Sequence, residues 1–265
     1  MHIILSIVTI YLLVVFLMML VQRRMIYFPS RLEPDYRFEG GLPGFAEVNI
    51  PCPDGVQVNA LFVPPPEGRP LVLCFHGNGG CLADWEYLVH GFYARTCGVL
   101  VIDFHGYGKT GGRPSETTLY RNAEAAVVWL KDTRGITPDR IIVFGKSLGT
   151  GAAVEIATRY KFKGLILDSA FTSLAGPAAA HYPFLPVRLM LLDKYDNLGK
   201  IGRINCPLLV IHGNADSIVP YTEGVKLFTV ASEPKQMYTL EGGDHNDNSP
   251  PEYWATIRTW IDQLK

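Results

Sequence analysis

Three textures of apolar and polar residues divide the chain. From Ile3 to Val21 (IILSIVTIYLLVVFLMMLV) nineteen residues pass without a charge, and only Ser6 and Thr9 are clearly polar. At about 1.5 Å per helical residue this run covers the roughly 30 Å hydrocarbon core of a bilayer. No Lys or Arg precedes it, and it ends in Gln22-Arg23-Arg24 instead of a small-residue cleavage site. It therefore reads as an uncleaved anchor over 1–24 and not as a signal peptide. Arg23, Arg24, Arg31 and Arg37 all follow it, so the positive-inside rule puts the rest of the chain on the cytoplasmic side of a single-pass protein. The next stretch, 25–45, mixes aromatic residues with Pro and Gly and reads as an irregular linker.

From residue 46 the texture changes to short apolar runs between amphipathic stretches. Ala46–Ile50 and Val56–Val63 read as strands joined around the turn Pro53-Asp54-Gly55. Leu71–Phe75, Val99–Asp103, Arg140–Phe144, Leu165–Asp168, Leu208–Ile211 and Gln236–Leu240 are further strands. Helices are expected from the N-cap Ser115 to about Asp132, from Leu148 onward, over about Tyr221–Ala231, and after Pro251. Continuous apolar strands alternating with helices predict an α/β fold, a mostly parallel sheet covered on both faces. The third texture interrupts this alternation. Residues 169–205 hold Pro177, Pro183 and Pro186, several aromatics and one short apolar helix near Val187–Leu192. That insert is too small for a second domain and reads as a cap over the carboxyl ends of the strands.

Composition narrows the function. The 265 residues carry a net charge of −1, with no basic footprint for nucleic acid. The five cysteines (Cys52, Cys74, Cys81, Cys97, Cys206) lack metal-ligand spacing and sit mostly among apolar residues, so no metal site or disulfide framework is expected.

The stretch RIIVFGKSLGTGAAVEIA, from Arg140, fits two chemistries at first sight. Gly-Lys-Ser ends a phosphate-binding loop, but that loop needs a glycine five residues before Gly145, where Arg140 stands. Gly108-Lys109-Thr110 fails likewise, with Asp103 in that place. The frame Gly145-Lys146-Ser147-Leu148-Gly149 is also G-x-S-x-G between a strand and a helix, the setting of a serine nucleophile on a sharp turn.

A serine hydroxyl needs a base, and the base needs an orienting acid. After Ser147, the strand Leu208–Ile211 runs into a loop holding Asp216, and Met237–Leu240 runs into a loop holding His245. Both loops lie where a parallel sheet gathers them on the edge that carries Ser147. Asp168 is the alternative acid, and Asp244 reads as a loop carboxylate. His76, His105 and His212 lie near strand ends and are expected to hold loops, while His181 lies in the cap, within reach of substrate. For the oxyanion, one backbone donor is expected from Leu148 and one from the loop His76-Gly77-Asn78-Gly79-Gly80, at Asn78 or alternatively Gly79. No cofactor or metal is needed for this chemistry.

These motifs resemble the α/β-hydrolase superfamily over about 46–265, and within it the membrane-anchored abhydrolase-domain (ABHD, Bem-like) branch. The resemblance rests on QRRMIYFPS after the anchor, CFHGNGG, DFHGYGKTGG, GKSLGTGAA, DSAFTSL, HYPFLPVRLMLLDKYDN, VIHGNADSIVP and GGDHND. It implies a triad of Ser147, Asp216 and His245 and hydrolysis of carboxylic esters or thioesters. His105 stands where related proteins often have arginine, and no role carries over to it. The apolar cap beside an anchor adds the expectation of a lipid-like acyl substrate entering from the bilayer. An amidase or peptidase using the same triad, and a non-catalytic membrane scaffold, are the competing readings. Oligomeric state is not legible in the sequence.

Overall fold

The computed structural model of the chain describes residues 1–247 and 250–264. In chain order its elements are α1 (His2–Ile26), β1 (Phe28–Pro29), β2 (Ala46–Pro51), β3 (Gln57–Val63), β4 (Leu71–Phe75), β5 (Gly79–Gly80), α2 (Leu82–Trp85), α3 (Tyr87–Tyr93) and β6 (Gly98–Ile102). Then come α4 (Glu116–Arg134), β7 (Ile141–Lys146), α5 (Gly149–Ala157), β8 (Gly164–Asp168), α6 (Ala175–His181), α7 (Val187–Met190) and α8 (Leu198–Ile201). The chain closes with β9 (Leu208–Gly213), α9 (Tyr221–Val230), β10 (Lys235–Leu240) and α10 (Pro251–Gln263).

Eight strands form one sheet in the order β10-β9-β8-β7-β4-β6-β3-β2. Pairing is parallel from β10 to β6 and antiparallel where β3 meets β6 and β2. The central strands bury both faces, which is why they read as unbroken apolar runs. In β4, Leu71, Leu73 and Phe75 pack with residues of α4 and α5, while Val72 and Cys74 face residues of α3 and α10. Local signals set the helix ends. Ser115 Oγ accepts from Thr118 N–H at 3.2 Å at the start of α4, and Gly135, at φ +67°, closes it.

β4 lies between β6 and β7, so the chain leaves it toward opposite sides of the sheet. Such a reversal opens a crevice at the carboxyl ends of the two neighbouring strands. Here the crevice lies between the loop after β4 and the turn after β7.

Two regions differ from the expectations. The helix α1 runs to Ile26, and the stretch beyond it is partly ordered as sheet: β1 pairs in parallel with β5, Phe28 opposite Gly79 and Pro29 opposite Gly80. Two-residue strands carry no periodic signal, so sequence patterning does not reveal them. The insert between β8 and β9 forms three short helices instead of one. Pro177 is accepted because it falls in the first turn of α6, where its missing N–H costs nothing. The insert packs on the flank of α1, with Leu185, Val187 and Met190 buried against Val15 and Met18. The helix α1 is otherwise exposed, and it is long and apolar enough to cross a membrane.

Candidate active site

Ser147 stands between β7 and α5 with φ +49°, a left-handed conformation that L-residues adopt only when neighbours enforce it. The enforcement is visible. Its N–H donates to Asp168 O at 2.8 Å, and its carbonyl accepts from Thr150 N–H at 2.9 Å and Thr150 Oγ1 at 2.6 Å. The flanking glycines are steric requirements. A Cβ on Gly149 would come within 2.1 Å of Phe75 O, and one on Gly145 within 2.7 Å of Gly149 O.

The loop after β9 brings Asp216 to the loop after β10. Asp216 Oδ2 lies 2.8 Å from His245 Nδ1. With a carboxylate as acceptor, Nδ1 carries the proton and Nε2 is left unprotonated. Asp216 Oδ1 accepts from the N–H groups of Ile218 at 2.9 Å and Val219 at 2.7 Å. Burial opposes ionisation of this carboxyl, yet hydrogen bonds from His212, His245 and Val219 hold it well below the usual carboxylate range. Asp244, read from sequence as a loop carboxylate, bridges the two loops: it accepts from Ser217 N–H at 2.8 Å and His245 N–H at 2.7 Å. Ser147 Oγ makes no hydrogen bond to another described residue; such nucleophile–base contacts commonly tighten only when substrate binds.

Leu148 and Asn78 both border the crevice, and the backbone N–H of neither donates to another described residue. Asn78 is held by the end of α1, by β1 and by the loop after β6. Its Nδ2 donates to Ile26 O at 3.0 Å, and its carbonyl accepts from Phe28 N–H at 2.9 Å and Tyr107 O–H at 2.8 Å. A cavity of about 840 Å³ joins these groups, lined by Ser147, Leu148, Asn78 and His245 at its base. Cap residues such as Leu185 and Val187 form one wall, and Met18, Gln22, Met25 and Ile26 of α1 form another. His181 also lines it, with its Nε2 bound to Ile218 O at 2.9 Å.

Other candidates are committed elsewhere. Asp168, the alternative acid, is engaged by Lys146 Nζ at 3.0 Å and Tyr253 O–H at 2.8 Å. His105 pairs with Asp54 at 3.0 Å and with Asn122. Cys52, Asp54 and His105 bring ligand atoms within 4.8 Å of one another, a spacing that could suit a metal. Arg121 already supplies the cation there, at 2.5 Å from Asp54, and burial pushes the Cys52 thiol up to about 11, so the cluster fits an ion pair better than a metal.

Three contributors were missed by sequence reasoning. Lys146, buried beside the nucleophile, also donates to His245 O at 3.1 Å. A lysine ending an apolar strand was the available signal, since burying it demands a partner. His212 was expected only to hold a loop; its Nε2 reaches Val219 O at 3.0 Å and lies 3.3 Å from Asp216 Oδ2. The wall supplied by α1 had no local signal.

The comparisons with known proteins agree on the family. A family model described as the alpha/beta hydrolase fold matches residues 70–197. An uncharacterised protein of Mycobacterium tuberculosis is 40% identical over 228 residues, covering 85% of this chain and 81% of that one. The human alpha/beta hydrolase domain-containing protein 17B is 33% identical over 195 residues, covering 73% of this chain and 66% of that protein. The chain belongs to the α/β-hydrolase family. Among solved structures, an esterase of Pyrococcus furiosus superposes on this α/β-hydrolase with a TM-score of 0.73 at 19% identity, over 90% of this chain and 97% of that one, a likeness of fold.

Proposed function

We propose that this α/β-hydrolase is a membrane-anchored serine hydrolase that cleaves carboxylic esters or thioesters with extended acyl chains, its catalytic domain facing the cytoplasm. The observation that carries the reading is one constellation around one cavity. A serine in an enforced left-handed turn, the His245–Asp216 pair and two undonated amides all meet an apolar cavity walled by α1 and the cap. The name of the Pyrococcus esterase is in line with ester substrates.

In this mechanism Ser147 Oγ attacks the acyl carbonyl while His245 Nε2 takes its proton. The ionised Asp216 stabilises the resulting imidazolium through Nδ1–H. The developing oxyanion accepts hydrogen bonds from the Leu148 and Asn78 amides, each worth about 2.7–4 kcal/mol in the transition state. Collapse expels the alcohol or thiol, protonated by His245, and leaves an acyl-serine. A water deprotonated by the same imidazole then releases the acid. The apolar walls favour long acyl chains, because each buried methylene contributes about 0.8 kcal/mol.

Labelling by a fluorophosphonate in detergent tests the nucleophile. Wild type is expected to label and Ser147→Ala not to, with hydrolysis down by about 10⁴-fold or more. Labelling that survives in the variant would assign the chemistry to another residue, and no labelling of either would favour a non-catalytic scaffold. A series of esters of rising acyl length tests the cavity, and activity confined to acetyl esters contradicts the acyl-chain reading.

A further inference from the structure

We infer that the cap segment 182–192 is itself immersed in one leaflet of the bilayer, so that the cavity opens into hydrocarbon and takes its substrate laterally. The inference rests on the reading of α1 as a membrane span and adds a second, separate membrane contact.

The decisive feature is where the cap is fastened to α1. Tyr11 O–H donates to Phe184 O at 3.0 Å, and Gln22 Nε2 donates to Met190 O at 3.2 Å. Arg23 clamps Asp193 through two bonds, at 3.0 and 3.2 Å. Tyr11 stands twelve residues before Arg23, about 18 Å along a helix. A leaflet offers about 15 Å of hydrocarbon, so on a helix of ordinary tilt Tyr11 lies close to the bilayer midplane. If Arg23 sits at the interface, a segment bonded to Tyr11 at one end and to Gln22 at the other must run down the immersed half of α1. Helix tilt changes the depth of both partners together.

The surface of the segment suits that environment. Leu185, Val187 and Met190 face α1, while Phe184, Leu189 and Leu192 point outward and are 64%, 86% and 62% exposed. This apolar face continues the exposed apolar surface of α1, which argues for one occupant, lipid, over both. Most backbone N–H groups of the segment find the partners that hydrocarbon demands, while those of Phe184 and Arg188 donate to no other described residue. Pro183 and Pro186 bring no N–H. Those of Leu185, Val187, Leu189, Met190 and Leu191 are donated within the segment, and that of Leu192 goes to Gln22 Oε1 at 2.8 Å. Arg188 is exposed, with a stem long enough to carry its charge toward the headgroups. Met18, Leu185 and Val187, at the seam between α1 and the cap, also line the cavity.

The test is a depth measurement on the full chain in phosphatidylcholine vesicles containing spin-labelled phosphatidylcholine. An environment-sensitive fluorophore is attached at Leu189→Cys, at Leu12→Cys in α1, or at Glu67→Cys at the far end of the sheet. The parent protein, whose five cysteines are buried, sets the background. Quenching at positions 189 and 12 but not 67 is expected. Quenching at 12 alone overturns the inference and leaves the anchor intact; quenching at neither overturns both. A probe at 189 that is shielded without lipid quenching, in a protein that runs as a dimer, gives the face to a second copy and also overturns it. Leu189, outside the cavity lining, allows a functional arm. In Leu189→Asp, hydrolysis of a long-chain ester in vesicles should fall about ten-fold, because a carboxylate resists immersion, while a water-soluble short ester is cleaved as before. Equal loss on both esters, or loss on neither, contradicts immersion.

Discussion

Lys146 bears on both chemistries that its tripeptide suggested. In a phosphate loop its ammonium would reach out to a nucleotide; here it is 2% exposed and turned inward. Its Nζ joins Asp168 of β8 to the carbonyl of His245, and Tyr253 of α10 completes the carboxylate's shell. Removing one member of a buried pair leaves the other charge uncompensated, at a cost of about 3–5 kcal/mol. Lys146→Met is therefore expected to be destabilised by that amount in thermal or urea unfolding. It should also lose kcat more than it raises KM, because the His245 loop loses a tether. The double variant Lys146→Met, Asp168→Asn should regain stability without regaining kcat. If the double variant regains both, Lys146 acts through stability alone. His212 shows the same limit on reading single residues: its place at a strand end suggested a loop role, and the structure adds Asp216 as its neighbour.

At the scale of elements, α1 and the sheet are not joined by a passive tether. β1 completes a two-stranded ladder with β5, and Ile26 and Phe28 hold Asn78 from both sides. Tyr27, 3% exposed, adds bonds to Asp193 at 3.0 Å and Tyr195 at 2.8 Å. Truncation should separate these duties. Deleting residues 1–20 removes most of α1 and leaves every one of these contacts, so hydrolysis of a soluble ester in detergent should persist. Deleting residues 1–30 frees the proposed oxyanion loop and should lower kcat about 10²-fold, the scale of one lost donor. Equal activity of the two truncations would show that β1 does not position that loop.

The whole molecule sets the response to pH through groups far from solvent. His76 and Asp103, at the ends of β4 and β6, are fully buried, with Nε2 and Oδ1 3.6 Å apart. Burial raises the Asp103 carboxyl to about 8, against the opposing hydrogen bond from Leu82 N–H, and burial lowers His76 to about 4, against its bond to Gly77. Both shifts favour the neutral forms. The folded state thus holds the Asp103 proton up to about pH 8, whereas the unfolded chain releases it near about pH 4. The stability it contributes is full below about pH 4 and declines as pH rises from there toward 8. In Asp103→Asn that decline disappears. Melting temperatures measured from pH 5 to pH 8 should move in the variant's favour as pH rises, and a constant difference between the two proteins would exclude Asp103 as the source.

Much of this architecture is legible in the sequence. The strands β4, β7 and β9 were read from unbroken apolar runs, α4 from its cap, and the turn at Ser147 from two glycines with no room for a Cβ. The loops of Asp216 and His245 followed, because a strand's end is a local property and a parallel sheet brings equivalent ends to one edge. Such features depend on residues within a few positions of one another, whose spacing states the requirement. The partner of Lys146, the strand at Phe28–Pro29 and the seam between α1 and the cap were not legible. Each depends on groups brought together across tens to well over a hundred residues, as Tyr11 and Phe184 are across 173. Chain closure at that range is decided by the packing of the whole sheet and its helices, and leaves no periodic trace in either segment.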